Sequence, residues 1–241
     1  MFETVIYSKR GATADIVLNR PNEINAFSVQ MRDDLYQALE AVRDDPEVRV
    51  AIVSGAGELG FCAGADLNEF GTAPSQVIAR RVRWERDLWG LFRIIGKPMI
   101  AALHGHVIGS GVEIACLCDL RIASEDAVFR MPEAALGMVP AAGGTQTLPR
   151  VMDAGHAQDV LLTGRQVGAR EAKRIGLVHR VVPRDGLLLE ATRLAAVIAS
   201  LDPHVVSAAR TAVIDGMDLP LDRGLALERR LVARLDDTRA S

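Results

Sequence analysis

The chain has 241 residues, 49% of them hydrophobic and 24% charged, a composition of folded globular proteins and not of disordered ones. Its 28 Lys and Arg against 31 Asp and Glu leave a net charge of −3, so the charge balance gives no case for a nucleic-acid binder. A chain of this length forms one large domain or two small ones and buries roughly 70–75% of the surface it exposes when unfolded, so its core needs neither metal nor disulfide.

The chain begins as a hairpin: Thr4–Tyr7, a turn around Lys9-Arg10-Gly11, then Ala14–Leu18. Arg20-Pro21 ends this ribbon, because proline cannot continue a ladder. Ser28 is positioned to cap a helix carrying Met31, Leu35, Leu39 and Val42 at successive turns. Val48–Val53 is an apolar run closed by Gly55 and Gly57, as a buried strand is. Ser75–Ile95 has helical character and stops at Gly96-Lys97-Pro98. Met99–Leu103 reads as a second buried strand, Val112–Leu117 as a helix and Leu120–Ala123 as a third strand. Helices are predicted near Thr145–Met152, His156–Leu162 and Ala169–Ile175, and a strand over Val178–Val182. From Asp185 onward the pattern is helical, with breaks near Pro203 and Pro220.

Hairpin, then alternating strand and helix, then helix alone: this order predicts an α/β core over residues 1–185 and a helical region over 186–241, functionally one domain. Cys62, Cys116 and Cys118 lie among apolar or small residues with no C-x-x-C spacing. Buried free thiols in a reducing cytoplasm are the expectation. The N-terminus lacks the basic start and apolar run of a signal peptide. No apolar stretch approaches the ~18 residues of a membrane span.

Two glycine-rich loops follow buried strands: Phe61-Cys62-Ala63-Gly64-Ala65-Asp66-Leu67 and His104-Gly105-His106-Val107-Ile108-Gly109-Ser110-Gly111. Loops at strand ends of α/β sheets are where ligands sit, and small residues let a ligand approach backbone N–H groups closely. Neither loop has the spacing of a phosphate-binding or dinucleotide-binding motif. Each alone is also a plain tight turn. Glu113 and Glu133 both stand among apolar neighbours, where a carboxylate is costly unless paired or functional. Glu113 has a structural alternative as a helix-start acid complementing the dipole. Two such glutamates beside two such loops point to a catalytic site.

On these residues the chain resembles the crotonase (enoyl-CoA hydratase/isomerase) family. The matching stretches, in order, are Arg20-Pro21 with Asn25-Ala26; Phe61–Leu67; Lys97–Ala102; Gly109-Ser110-Gly111-Val112-Glu113; Cys118-Asp119; Pro132-Glu133 with Gly137, Pro140 and Gly143-Gly144-Thr145; Leu162-Thr163-Gly164; and Ala169–Ala172 with Gly176-Leu177-Val178. The resemblance spans roughly residues 2 to 185. It implies an α/β spiral of repeated ββα units with C-terminal helices used for trimerisation, as a homotrimer or dimer of trimers. The implied chemistry is stabilisation of a coenzyme A thioester enolate by the backbone N–H groups of Ala65 and Ser110. Glu113 would deprotonate water and Glu133 would protonate C2, which together hydrate a 2-enoyl thioester. Ile24, Ala26, Ala63, Asp66, Leu67, Gly109, Pro132, Leu136 and Ala141 would line the acyl-CoA. No metal or redox cofactor is implied; coenzyme A is part of the substrate. Other reactions on the same enolate, double-bond isomerisation or decarboxylation, are the alternative. Some members bind RNA, but no basic stretch with interleaved aromatics supports that here.

This chain departs from the family's pattern at three places. Ser110 and Ala141 stand where glycine is usual: the serine keeps its N–H donor while its side chain narrows the acyl pocket or adds a hydrogen bond, and the alanine implies a tighter water pocket. The ending looks short and lacks the final helix with lysine and phenylalanine that meets the adenine end of coenzyme A. His104 and His106 form an i, i+2 pair with no convincing third metal ligand, so a structural role is the better reading. Trp84 and Trp89 are read as core or subunit-contact residues, and Asp66 has a local alternative as a turn cap.

Overall fold

Residues 2–69, 86–140 and 142–240 are described by the computed structural model. The opening hairpin pairs β1 (Val5–Arg10) with β2 (Thr13–Leu18) in antiparallel register, Val5 opposite Leu18. Helix α1 (Val29–Asp44) starts where a cap was expected, with Ser28 Oγ accepting from the Met31 N–H at 3.1 Å. Met31, Leu35, Leu39 and Val42 are fully buried along one face. On the same helix the buried Asp34 accepts from the Glu3 and Thr4 N–H groups and the Thr4 hydroxyl, tying the hairpin's start to α1. Lys97 Nζ donates to the carbonyls of Val42, Arg43 and Asp45, satisfying the helix's C-terminal acceptors.

Three consecutive strand pairs then follow. They are β3 (Val50–Gly55) with β4 (Gly60–Cys62), β5 (Met99–Leu103) with β6 (His106–Ile108), and β7 (Leu120–Ser124) with β8 (Val128–Arg130). In every pair the first strand joins a six-stranded sheet, ordered β1-β2-β3-β5-β7-β10. The second joins a four-stranded sheet, ordered β4-β6-β8-β9. Strand β9 is Val167–Gly168 and β10 is Arg180–Val182. With the helices α2 (Leu88–Ile94), α3 (Ser110–Leu117), α4 (Gly144–Val151), α5 (Ala154–Thr163) and α6 (Ala169–Arg174) between and after them, these pairs are the spiral of ββα units that the resemblance implied. Most of the predicted helix over Ser75–Ile95 lies outside the described residues; α2 is its described end.

Strands β3 and β5 are buried on both faces, as all-parallel central strands are. One face packs toward α1 and the four-stranded sheet. The other, with Val50, Ile52, Ile100 and Ala102, is covered by Leu187, Ala191 and Ala195 of α7 (Leu187–Ala199). Two further helices, α8 (Pro203–Gly216) and α9 (Leu221–Ala240), begin at the predicted proline breaks. The helix expected after the Pro220 break is present, α9 having 20 residues, and none of them is lysine or phenylalanine. It packs chiefly on α8. Among the described residues no single helix is long and apolar enough to cross a membrane.

Candidate active site

Both glycine-rich loops open with a strand of the smaller sheet, β4 in one and β6 in the other, so sheet pairing sets their positions. After β4 the chain runs beside residues 24–27. Ala63 N–H donates to Ile24 O at 2.9 Å, Phe27 N–H to Gly64 O at 2.7 Å and Asp66 N–H to Phe27 O at 3.0 Å. Ala65 forms a parallel bridge with Phe27, so the groups turned toward Phe27 are those of Gly64 and Asp66. The Ala65 N–H points the other way and has no acceptor among the described residues. Gly64, at φ 95°, presses on the second loop: a Cβ there would lie 3.2 Å from Ile108 O.

After β6, Gly109 is the N-cap of α3 at φ 48° and provides no side-chain cap. The first N–H groups of a helix have no partner within it, which leaves the Ser110 N–H at the positive end of α3. Ser110 is half-buried. One turn on, Glu113 is 2% exposed. Its N–H donates to Gly109 O at 3.0 Å, and its Oε1 accepts from the N–H groups of Ala142 at 3.2 Å and Gly144 at 2.8 Å. That satisfies a carboxylate which burial would otherwise penalise.

Glu133 begins the 3₁₀ turn Glu133–Leu136, directly after Pro132. Its Oε2 is shielded from solvent and has no hydrogen-bond partner among the described residues. Burial pushes its carboxyl above the usual range, against a weaker opposing bond from its own N–H. Gly109 ties the parts together. A Cβ on it would stand 2.7 Å from Glu133 Oε1 and 3.7 Å from Gly64 Cα. Both loops and the Glu133 carboxyl thus converge on the residue whose carbonyl receives the Glu113 N–H.

Residues 8–240 match the enoyl-CoA hydratase/isomerase family. The (E)-benzylidenesuccinyl-CoA hydratase of Thauera aromatica is 38% identical over 93% of this chain and 88% of its own length. The crotonyl-CoA hydratase of Syntrophomonas wolfei is 36% identical over 94% and 87%. Among solved structures, an enoyl-CoA hydratase of Bacillus anthracis superposes with a TM-score of 0.90 at 34% identity, covering 99% of this chain and 95% of that one. The chain belongs to the enoyl-CoA hydratase/isomerase family.

For a member of this family the remaining expected positions fall as follows. Ile24, Ala26 and Ala63 are half-buried along the strip that flanks the first loop. Leu67 and Leu136 are exposed, at 61% and 54%, on the short turns next to Asp66 and Glu133, and Pro132 is half-buried. Ala141 and Trp84 lie outside the described residues. Asp66 does cap a turn, its Oδ1 accepting from the Asn68 N–H at 3.1 Å. It is also paired with Arg20 at 2.9 Å, and that guanidinium holds its carboxyl below the usual carboxylate range. His104 is buried with Nε2 facing Gly57 O at 3.1 Å, while His106 is exposed. Trp89 packs on the core and against the Phe27 ring, centroids 6.1 Å apart. All three thiols are buried and free, and burial pushes Cys62 up to about 12 and Cys116 up to about 11, so neither is a nucleophile.

A cavity of about 1030 Å³ lies between the C-terminal end of α3, α4 and α8. It touches Ala142 and Gly143 but not Ala65, Ser110 or Glu133. Sequence reasoning gave no role to Asn25, Arg20 or the amides of Ala142 and Gly144. Asn25 is fully buried. Its side chain accepts from Arg20 N–H and donates to the carbonyls of Ala56 and Gly60, pinning the 20–25 turn to the β3–β4 turn that leads into the first loop. Asparagine after a proline turn carried a signal of this kind, since Asn tolerates the left-handed backbone found at Ile24 and Asn25, φ 50° and 54°.

Proposed function

We propose that the protein is an enoyl-CoA hydratase that adds water across the C2=C3 bond of 2-enoyl coenzyme A thioesters. The observation that carries the reading is the convergence of two glycine-rich loops and the Glu133 carboxyl on Gly109, the residue whose carbonyl accepts from the N–H of the buried Glu113. Addition of water to a conjugated thioester pushes negative charge onto the thioester oxygen. Fixed N–H donors stabilise that charge, and the amides of Ala65 and Ser110 are suited to it. Glu113 takes a proton from water as its oxygen bonds to C3. The π electrons move through C2 to the thioester oxygen, and the enolate collapses as Glu133 delivers its proton to C2. A carboxyl with a raised pKa is suited to hold that proton. An isomerase needs a single proton carrier; the buried, doubly hydrogen-bonded Glu113 favours hydration.

The reaction so read uses coenzyme A as part of the substrate and draws on no metal or redox cofactor. We infer a cytoplasmic enzyme from the buried thiols, with no nucleic-acid or membrane partner. We also infer a homotrimer or dimer of trimers. Its support is the exposed apolar surface of α8 and α9, where Val213, Met217, Leu221 and Val232 are all at least half exposed. The test of the activity is incubation of purified protein with crotonyl-CoA. The conjugated enoyl absorbance should fall and the product should gain the mass of one water. Glu133→Gln should slow this by about 10²–10⁴-fold. A product of unchanged mass, or full turnover by the variant, defeats the reading.

A further inference from the structure

The Ala65 amide sits inside a closed ring of hydrogen bonds that one side chain completes. Arg20 Nη1 donates to Ala26 O at 2.7 Å and to Asp66 Oδ2 at 2.9 Å. Asp66 N–H donates to Phe27 O at 3.0 Å, and Phe27 N–H donates to Gly64 O at 2.7 Å. Going round, the ring runs Arg20, Asp66, Ala65, Gly64, Phe27, Ala26 and back to Arg20. Ala65 is the residue in it that makes none of these bonds, and its methyl side chain cannot anchor it. The direction of its N–H is therefore set by its two neighbours. Gly64 is a weak constraint by itself, being free of side-chain sterics. Asp66 is the stronger one, and its carboxylate has two holds: the Asn68 N–H and Arg20.

Arg20 is suited to closing this ring. Its side chain is about a fifth exposed and Asp66 is 9% exposed, so the pair is largely out of solvent screening. A planar guanidinium fixes angle as well as distance. The backbone of Arg20 is held independently, its N–H donating to Asn25 Oδ1 at 2.8 Å. Removing the guanidinium therefore spares the turn that carries it.

We propose that Arg20 is a positioning residue for the thioester-oxygen donor, fixing the Ala65 N–H through Asp66 and Ala26. This rests on the reading of Ala65 as such a donor. Loss of the guanidinium leaves the Asp66 carboxylate with one hold, the Asn68 N–H, and lets residues 64–66 shift. A displacement of about 1 Å in a reacting array costs up to roughly 100-fold in rate.

The experiment compares Arg20→Gln, Arg20→Lys and Asp66→Asn with the unmodified enzyme. Turnover of crotonyl-CoA is measured together with the spectrum of a bound p-aminocinnamoyl-CoA, whose absorption moves to longer wavelength when its thioester oxygen is hydrogen-bonded. Arg20→Gln should lower kcat by about tenfold or more, change KM by less than about threefold and reduce the red shift. Arg20→Lys, which keeps a cation near Asp66, should recover part of both. Should Arg20→Gln fail to fold, Arg20→Lys and Asp66→Asn must show the same graded loss of red shift. A folded Arg20→Gln with full red shift overturns the proposal, whether or not its KM has risen. The unmodified enzyme separates the two claims. A red shift without hydration refutes the hydratase reading while the variants still test the ring; no red shift at all refutes the donor assignment itself.

Discussion

The donor role of Ser110 can be tested by deleting one hydrogen. Ser110 is the first residue of α3, and Gly109 before it has φ 48° and ψ −114°. Position N1 of a helix is where proline fits best: its fixed φ matches the helix, and the missing N–H has no intrahelical acceptor to lose. Gly109 carries no Cβ to clash with the proline ring. Ser110→Pro should therefore cost less than about 1 kcal/mol in stability. Its catalytic cost is of another order. One donor to a developing oxyanion is worth about 2.7–4 kcal/mol, or roughly 10²–10³ in kcat. Ser110→Ala is the control, since it loses the hydroxyl and keeps the N–H; its kcat should stay within about fivefold of the unmodified enzyme. Binding of butyryl-CoA, a saturated thioester, distinguishes a lost donor from a blocked pocket. The assay is steady-state hydration of crotonyl-CoA with thermal melting of each variant. A folded Ser110→Pro that turns over within about threefold of Ser110→Ala refutes the reasoning. So does a loss confined to binding of the saturated thioester.

Glu133 links activity to stability through its proton. Its carboxyl is raised from the ordinary 4.5 by burial, so the folded state binds that proton more tightly than the unfolded chain. The stabilisation is fully present below 4.5 and is lost as pH rises through the folded value. Glu133→Gln, which cannot ionise, should melt higher than the unmodified protein at about pH 8, with the gap closing on acidification; melting curves that coincide at every pH, or a gap that opens in acid, contradict this. The exposed apolar face of α8 and α9 should be covered in solution, so sedimentation should find trimers or hexamers, and a monomer at micromolar concentration counts against that.

The centre of the larger sheet was legible because β3 and β5 are buried on both faces and read as unbroken apolar runs. Val48–Val53 and Met99–Leu103 correspond to β3 and β5, each displaced by two residues or fewer. The first helix was legible down to its cap, since period and capping residue agree. The smaller sheet was not. Its strands have two or three residues, too few for alternation to register. Two of them, β4 and β6, sit inside what read as glycine-rich loops. They are specified by tertiary pairing: Gly60 lies so close to His106 that a Cβ would stand 2.5 Å from its N. What looked like loop composition was in part the signature of close strand contact.

The candidate site divides along the same line. The carboxylates were readable because an acid among apolar residues is costly enough to require a reason. The groups that hold Glu113 were not, since backbone N–H donors have no side-chain identity. Nothing in the letters Ala142 or Gly144 announces a bond to Glu113, and only the helix start that follows Gly143 allows one. The same logic explains the small residues at 64, 65 and 109. A charged side chain there could supply one strong contact to a thioester oxygen. It would also occupy the space through which Gly64 and Gly109 bring two loops within van der Waals reach. On the proposed reading, with main-chain donors to the thioester oxygen, the side chains that set the donors' direction belong one layer out. Arg20 and Asp66, bonded to each other beside Ala65, are the pair proposed for that layer.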